Sequence, residues 1–531
     1  MQRSTVIGLV AALSAFAWSS DVFACSTPNS STIYLSPSYW NFPMAQDGSQ
    51  SAPYRSVVAA TNRLNSDSSV TRLCLTNTKG ATLDLSNAAA NTLTVEGWGS
   101  APTINKTIVL YGPGGQASQT AIIVNDYAKR VTVRNVDIYG AISSQGVNQL
   151  ILDQVTLRQG QGGSLVQMSG FNYFLAYHSQ MIADDVSTAI YLYDGYFGYM
   201  SNVDITLNDA GNHRGIAAYD LTNFQLNSVE VSANATTPNY MVETGLVDNI
   251  DIINSDFIDN SFLPGLDYEP GGAIALSNFA SADITGTLVD TPHERGIDAY
   301  DGALNMSRST LRSATRYGVA LESVDATLER STIALGYQAF PATTAVWVNG
   351  GSLFAEDNFL VANPNAATTD NVALRFDYAV DVDANFNSAH GWQAFARLSP
   401  SHGGVLSGSL SSRANLVVGD GTNTAALYQV NPGVQQSVAL SSGKNLIDSS
   451  INYGYSLFNN SVVAEGGVAD SNGEAEIYGQ AAFSNPGVSP ALNCQSSNAP
   501  SRIFNTVNTD DFYGRGRPAY STLGAWECNP I

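Results

Sequence analysis

From Val133 to Leu360 the chain repeats one short pattern ten times: an apolar residue, four mostly polar or small residues, then another apolar residue. The copies are VRNVDI from Val133, LDQVTL from Leu152, YHSQMI from Tyr177, MSNVDI from Met200, LNSVEV from Leu226, INSDFI from Ile253, ITGTLV from Ile284, MSRSTL from Met306, LERSTI from Leu328 and AEDNFL from Ala355. Their starts are 19 to 31 residues apart. Self-similarity at this period marks stacked units, none of which can bury its apolar face alone.

The unit reads as extended chain. Val, Ile, Leu, Thr and Tyr dominate the flanks, as in VTVRNVDI and FQLNSVEV, while Gly, Asn, Asp and Ser separate the copies. That composition favours short strands over helices, and no copy carries a helix-length stripe of period 3.6. A leucine-rich repeat keeps Leu at fixed offsets and a steadier length. Wandering lengths suit coils that accept insertions, so the pattern predicts an all-β chain, a right-handed parallel β-helix with N- and C-terminal caps. Equivalent positions of successive coils then lie about 4.8 Å apart. The third residue of each copy, including Asn202, Ser228 and Ser255, is expected to form an internal ladder, opened to solvent where it becomes Arg308 and Arg330.

Residues 1–24 read as a secretory signal, with Arg3, an apolar run from Val6 to Trp18 and small residues before Cys25. Residues 25–100 are expected to form an N-terminal cap and a first irregular coil, 101–386 the regular β-helix, and 387–531 irregular coils and a C-terminal cap. In an exported chain, four cysteines in two end groups favour Cys25 with Cys74 and Cys494 with Cys528. Lipid attachment at Cys25 is the competing reading, disfavoured by the bulk of Phe23. No other segment has the length of apolar chain that a membrane helix needs, and a monomer is expected.

Charge narrows the partners. With 23 Lys and Arg against 45 Asp and Glu the net charge is −22, which argues against nucleic acid and anionic membranes. An acidic polysaccharide would need a local basic patch or a bridging cation such as Ca²⁺. Arg295, Arg308, Arg312, Arg316 and Arg330 fall within 36 residues and make the candidate patch. Counted from the start of each copy, Asp209 and His293 share an offset and Arg316 follows by one, so His293 and Arg316 are expected as neighbours. A second edge collects His213, Arg214, Asp267, Glu269 and Asp298. Asp267 and Glu269 lie in SFLPGLDYEPGG, a Pro- and Gly-rich excursion that could wall a site.

Two stretches resemble known families. Asp511, Gly514, Arg517, Gly524, Ala525, Trp526 and Glu527 resemble the closing segment of secreted bacterial β-helix proteins, which supports the pectin-lyase-like superfamily. DTPHERG resembles the Asp-Pro-His-Asp motif of mannuronan C5-epimerases: Pro292 and His293 match, whereas Thr291 and Glu294 depart. That resemblance implies His293 as the base that takes the proton alpha to a uronate carboxylate, Arg316 as its neutraliser, and Tyr317 or Tyr300 as proton donor. The same machinery serves lyases. The expected function is therefore modification of an acidic polysaccharide, of lyase or epimerase type. Two alternatives stand beside it: a non-catalytic surface or matrix protein for adhesion or glycan binding, and a glycoside hydrolase using Asp184, Asp185 and Asp209.

Overall fold

The structure, a computed structural model, describes residues 25, 29–36, 46–76, 82–98, 109–111, 120–160, 163–184, 186–208, 214–234, 239–260, 272–335, 343–362, 371–398, 406–413, 415–419, 426–430, 436–443 and 446–448, with a few two- or three-residue strands beyond. The chain forms a parallel β-solenoid. Each strand pairs in parallel with the equivalent strand of the next coil, as Thr188–Leu207 does with both Ser164–Asp184 and Arg214–Ala233.

Each coil has three faces, and two backbone bends separate them. On the coil of residues 188–207 the faces are 188–193, 195–201 and 203–207, with Asp194 and Asn202 at the bends. Both bend residues have positive φ, and so do their equivalents along the stack. One column runs through Asn135, Gln154, His178, Asn202, Ser228, Asn254, Gly286, Arg308, Arg330, Asp357 and Phe386. The other runs through Gly146, Gly170, Asp194, Asp220, Leu246, Asn278, Asp301, Ser323, Gly350 and Tyr378. Among the described residues, Ser313 alone has positive φ outside these columns and is not glycine. Left-handed backbone turns a strand sharply in one residue, and Asn, Asp and Gly tolerate it best.

This geometry explains the six-residue pattern. Its first residue ends the second face pointing inward, its third makes the bend, and its sixth points inward from the third face. Leu152, Met200, Leu226, Ile284 and Leu328 form the first inward column, and Leu157, Ile205, Val231, Leu311 and Ile333 the second, none more than 1% exposed. On the first face Val166, Ile190, Ile216, Val242, Ile274, Ile297 and Val319 stack in the same way. Each fully buried aliphatic side chain contributes about 1.5–3 kcal/mol, and the stack repeats that gain at every rung.

Two expectations about the repeat are corrected. Pairing aligns Leu152 with Ala176 and Leu226 with Ile252, so those two copies begin one residue before Tyr177 and Ile253. The ladder lies at the fourth position, because the third is occupied by the bend, and Asn202 and Ser228 are exposed there. Ser255, in correct register, is a fourth-position residue and is buried. The Ser255 hydroxyl accepts from the Val229 N–H at 3.2 Å. The Ser331 hydroxyl accepts from the Ser309 N–H at 3.2 Å, and Asn358 Oδ1 from the Ser331 N–H at 3.0 Å. Asn387 and Asn415 continue the series, and their amides donate to the carbonyls of Ala355 and Ala384. A bend misaligns the next N–H from its interstrand acceptor, and a buried N–H needs a partner.

Parallel pairing extends on both sides of residues 101–386. Thr32–Leu35 pairs with Arg72–Leu75, which pairs with Thr92–Gly97. Towards the C-terminus, Ser388–Trp392, Leu416–Gly419 and Leu446–Asp448 carry the third face onward. A helix, Val57–Ser66, turns Val57, Ala60 and Leu64 into the core near the first coils. Cys25 and Cys74 form a disulfide, with Tyr34 and Trp98 packed against it, so the Cys25 sulfur is already committed. Closing a loop of 49 residues restricts the unfolded chain by up to about 4 kcal/mol in the chain-entropy model. Cys494, Cys528 and the closing-segment residues Asp511, Gly514, Arg517, Gly524, Ala525, Trp526 and Glu527 lie outside the described residues. No helix among the described residues is long and apolar enough to cross a membrane.

Candidate functional site

The first face carries three outward columns. In chain order they are Arg214, Tyr240, Arg295, Tyr317 and Thr344; then Tyr191, Ala217, Glu243, Ala275, Asp298, Ala320, Trp347 and Arg375; then Tyr193, Tyr219, Gly245, Ser277, Tyr300, Glu322, Asn349 and Asp377. Their C-terminal halves enclose a groove of about 960 Å³, lined by Arg295, Arg316, Tyr317, Glu322, Trp347, Asn349, Arg375, Asp377 and Tyr378.

One chain of contacts organises the groove. The Arg316 guanidinium pairs with Glu294 at 2.7 Å and lies 4.8 Å from the centre of the Tyr317 ring. That ring stacks on Trp347 at 5.2 Å and 24°. Trp347 Nε1 donates to Asp377 Oδ2 at 2.9 Å, and the same carboxylate oxygen stands 3.6 Å from Arg375. The coil register makes this arrangement, because Glu294, the Arg316–Tyr317 pair, Trp347 and the Arg375–Asp377 pair sit on four successive rungs. Carboxylates, guanidinium groups and flat aromatic rings together suit a sugar acid, whose ring faces are apolar and whose carboxylate takes two parallel N–H bonds.

A carboxyl beside the groove and two tyrosines in the coils upstream of it have displaced titrations. Burial raises the Asp298 carboxyl, and the Arg295 guanidinium, bonded at 2.6 Å, opposes the shift without cancelling it. Burial also raises Tyr240. Tyr219 is raised by burial and by its hydrogen bond to Glu243, which Arg214 holds at 2.6 Å.

The residues expected from the sequence are dispersed. His293 is 0% exposed, while the Arg316 side chain is 40% exposed. The rung below Arg316 belongs to Glu294, whose carbonyl accepts the Arg316 N–H, and His293 instead faces Thr315. The structure therefore does not bring that imidazole and that guanidinium into one concave site. Of the five arginines, Arg295 and Arg316 reach the groove. Arg308 and Arg330 occupy the bend between the second and third faces, and Arg312 ends a third-face strand, paired with Asp290 at 2.8 Å. Arg214 belongs to the first face, several coils upstream. Asp184 accepts a hydrogen bond from Asn208 at 2.8 Å. Asp185, Asp209, His213, Asp267 and Glu269 lie outside the described residues. Among the described residues no three His, Cys, Asp or Glu side chains are grouped to hold a metal ion.

Trp347, Arg375 and Asp377 escaped the sequence reading. Counting each coil from its bend, rather than from the start of the apolar pattern, would have put Asp298, Trp347 and Arg375 on one column.

No protein-family model matches the chain, and no curated protein matches it. Among solved structures it is similar to the pectate lyase Pel9A, with TM-score 0.27 and 12% identity over 94% of this chain and 96% of that one. It is also similar to the alginate lyase AlyF-OU02, with TM-score 0.30 and 10% identity over 88% and 89% of the two chains. The fold assignment stands on the parallel register itself, which makes the chain a parallel β-helix, the architecture that its sequence resemblance implies.

Proposed function

We propose that the protein is a secreted carbohydrate-active β-helix that binds an acidic polysaccharide in the groove from Arg295 to Tyr378 and modifies it. The observation that carries this reading is the continuous series Arg316, Tyr317, Trp347, Asp377 and Arg375. Aromatic rings offer a platform for a pyranose, and guanidinium groups near each end offer partners for its carboxylate. The Cys25–Cys74 disulfide fits an oxidising compartment outside the cytosol.

The chemistry that fits these groups is removal of the proton alpha to a uronate carboxylate. Masking the carboxylate charge lowers the cost of the carbanion, and Arg316 has that role. Tyr317, against the Arg316 guanidinium, is the group that moves the proton. Elimination at the adjacent carbon, with the proton passed on to the departing glycosidic oxygen, gives a lyase, and protonation of the opposite face by a donor across the sugar ring, such as water, gives an epimerase. Buried His293 takes no part. The absence of an imidazole from the described groove favours a second reading, in which the groove binds without catalysis.

The test is incubation of the full chain with alginate, polygalacturonate and glucuronate polymers. Unsaturated products are read by ultraviolet absorbance and epimerised ones by NMR. Product from the wild type that falls at least roughly a hundredfold in Arg316→Ala and Tyr317→Phe supports the enzyme. Binding without product, weakened in Arg316→Ala, supports the second reading. If nothing binds, the groove has no such role.

A further inference from the structure

Exposed large apolar side chains are not scattered over this solenoid. Apart from Val58, those among the described residues are Tyr127, Tyr193, Tyr196, Leu246, Tyr300 and Tyr378, and all belong to the edge between the first and second faces. Tyr193 and Tyr300 immediately precede bend residues Asp194 and Asp301, and Tyr196 follows two positions after Asp194. Leu246 and Tyr378 are themselves bend residues. Tyr127 lies across Gly146 and Gly170, where a Cβ would come within 2.7 Å and 2.5 Å of its ring and hydroxyl.

We infer that this edge is a track for an extended glycan, which holds neutral sugars and leads to the groove, so that the substrate is a mixed polymer of neutral and acidic sugars rather than an unbroken polyuronate. The inference rests on the reading of the groove given above. Three arguments carry it.

Spacing is the first. Successive bends are about 4.8 Å apart, close to the advance of one pyranose in an extended chain. From Gly146 to Tyr378 the column spans nine rungs, about 43 Å. Along this line Tyr193, Leu246, Tyr300 and Tyr378 stand two, two and three rungs apart, so they can meet every second or third sugar.

Continuity is the second. Ser323, Gly350 and Tyr378 belong to the same bend column and also line the groove. A chain lying on the edge therefore runs into the groove without changing direction.

Charge is the third. Asp194, Asp220, Asp248 and Asp301 are exposed on this edge, and Arg214, the cation on the neighbouring part of the first face, is bound to Glu243. Carboxylates beside aromatic rings accept hydrogen bonds from sugar hydroxyls and repel uronates. Arg295, Arg316 and Arg375 line the groove at the other end, paired with Asp298, Glu294 and Asp377 as Arg214 is with Glu243, so the groove gathers three guanidinium groups where the edge gathers carboxylates. An acidic sugar is therefore favoured in the groove and disfavoured upstream. Leu246, 62% exposed, adds weight, since it holds a left-handed position that its equivalents, Tyr378 apart, fill with Gly, Asp, Asn or Ser. A bulky apolar side chain gains nothing locally there.

The test uses the full chain and immobilised polymers of three kinds: neutral (xylan, mannan, β-glucan), mixed (glucuronoxylan, xanthan) and polyuronate (polygalacturonate, alginate). The track variant is Tyr193→Ala with Tyr196→Ala and Leu246→Asn. Asn tolerates the left-handed bend better than Leu, so its thermal midpoint should not fall on that account. The groove variant is Arg375→Ala. The expected result is tightest binding to a mixed polymer, with roughly tenfold loss in the track variant for mixed and neutral polymers. Arg375→Ala should lose affinity for uronate-bearing polymers alone. Wild-type affinity in the track variant, tighter binding to polyuronates than to mixed polymers, or no binding to any polymer overturns the track. Tyrosine-dependent binding that ignores Arg375→Ala leaves the track standing and removes the groove's assignment.

Discussion

The fourth position of the coil divides the solenoid into two regions. It is Val136, Val155, Val203 and Val229 in early coils, with Ser179 among them, and Ser255, Thr287, Ser309, Ser331, Asn358, Asn387 and Asn415 in later ones. The outer surface changes as well. Early coils show Tyr191, Tyr193 and Tyr219 on the first face, whereas the groove coils show Arg295, Asp298, Arg375 and Asp377. Where the outside must hold charged groups in fixed relation, the inside is cross-linked from coil to coil by side-chain hydrogen bonds. In the early region the backbone ladder and apolar packing set the coil spacing, with Ser179 adding a bond to the Val155 N–H. In the later one, each Asn accepts an N–H from the preceding coil and donates to a carbonyl of that same coil, and Asn358 and Asn387 also donate to the Asn of the next coil, which fixes the scaffold under the groove.

The largest effect that would sharpen this contrast is expected from Asn387→Ala. It leaves the buried Asn358 N–H without its acceptor and removes the amide bond to Ala355, a loss of about 2–3 kcal/mol. Ser309→Ala removes one acceptor, for the Thr287 N–H, and should lose about 1 kcal/mol. Denaturant midpoints measure both. If an outer-surface change such as Asn305→Ala costs as much as Asn387→Ala, the internal ladder has no special standing.

A pH series tests the outer side of the same comparison. Burial raises the Asp298 carboxyl, so the folded state holds that proton more tightly than the unfolded state. Stability from this group is therefore present at low pH and lost as pH rises from the ordinary aspartate value, about 3.9, through the raised one. Asp298→Asn should flatten that part of the curve of thermal midpoint against pH. An unchanged slope would show that Arg295 compensates the burial fully.

Smaller effects follow. Trp347→Phe keeps an aromatic ring against Tyr317 but removes the donor to Asp377. Groove affinity should fall by less than about tenfold, the scale of one hydrogen bond. Arg312→Ala breaks a pair whose arginine side chain is 55% exposed and outside the groove. Stability should change by less than about 0.5 kcal/mol and binding not at all. A binding loss there would return Arg312 to the basic patch expected from sequence.

Much of the fold was legible because the core repeats. Leu152, Met200 and Leu328 announce an inward column by recurring with a fixed partner five residues later, and the outward alternation of Tyr191 and Tyr193 about Leu192 was readable in the same way. Left-handed bends were not legible, since Gln154, His178, Leu246 and Arg308 at those positions share no chemistry. The offsets of His293 and Arg316 were counted from Ile284 and Met306, which do pair, but they differ by one. One residue turns a side chain from groove to core, so Glu294 rather than His293 lies one rung below Arg316. His293 was therefore expected beside Arg316 but is enclosed, while Trp347 and Arg375 went unnoticed.

By itself the sequence determined that this chain stacks coils, because apolar residues recurring at a coil's length can be buried only against copies of themselves. It determined too that the protein is acidic and strand-rich. Only the tertiary structure decided which side chains share a surface. Rung partners lie 22 to 30 residues apart along the chain, and their meeting depends on every loop and bend between them, whose lengths and backbone angles no local pattern specifies.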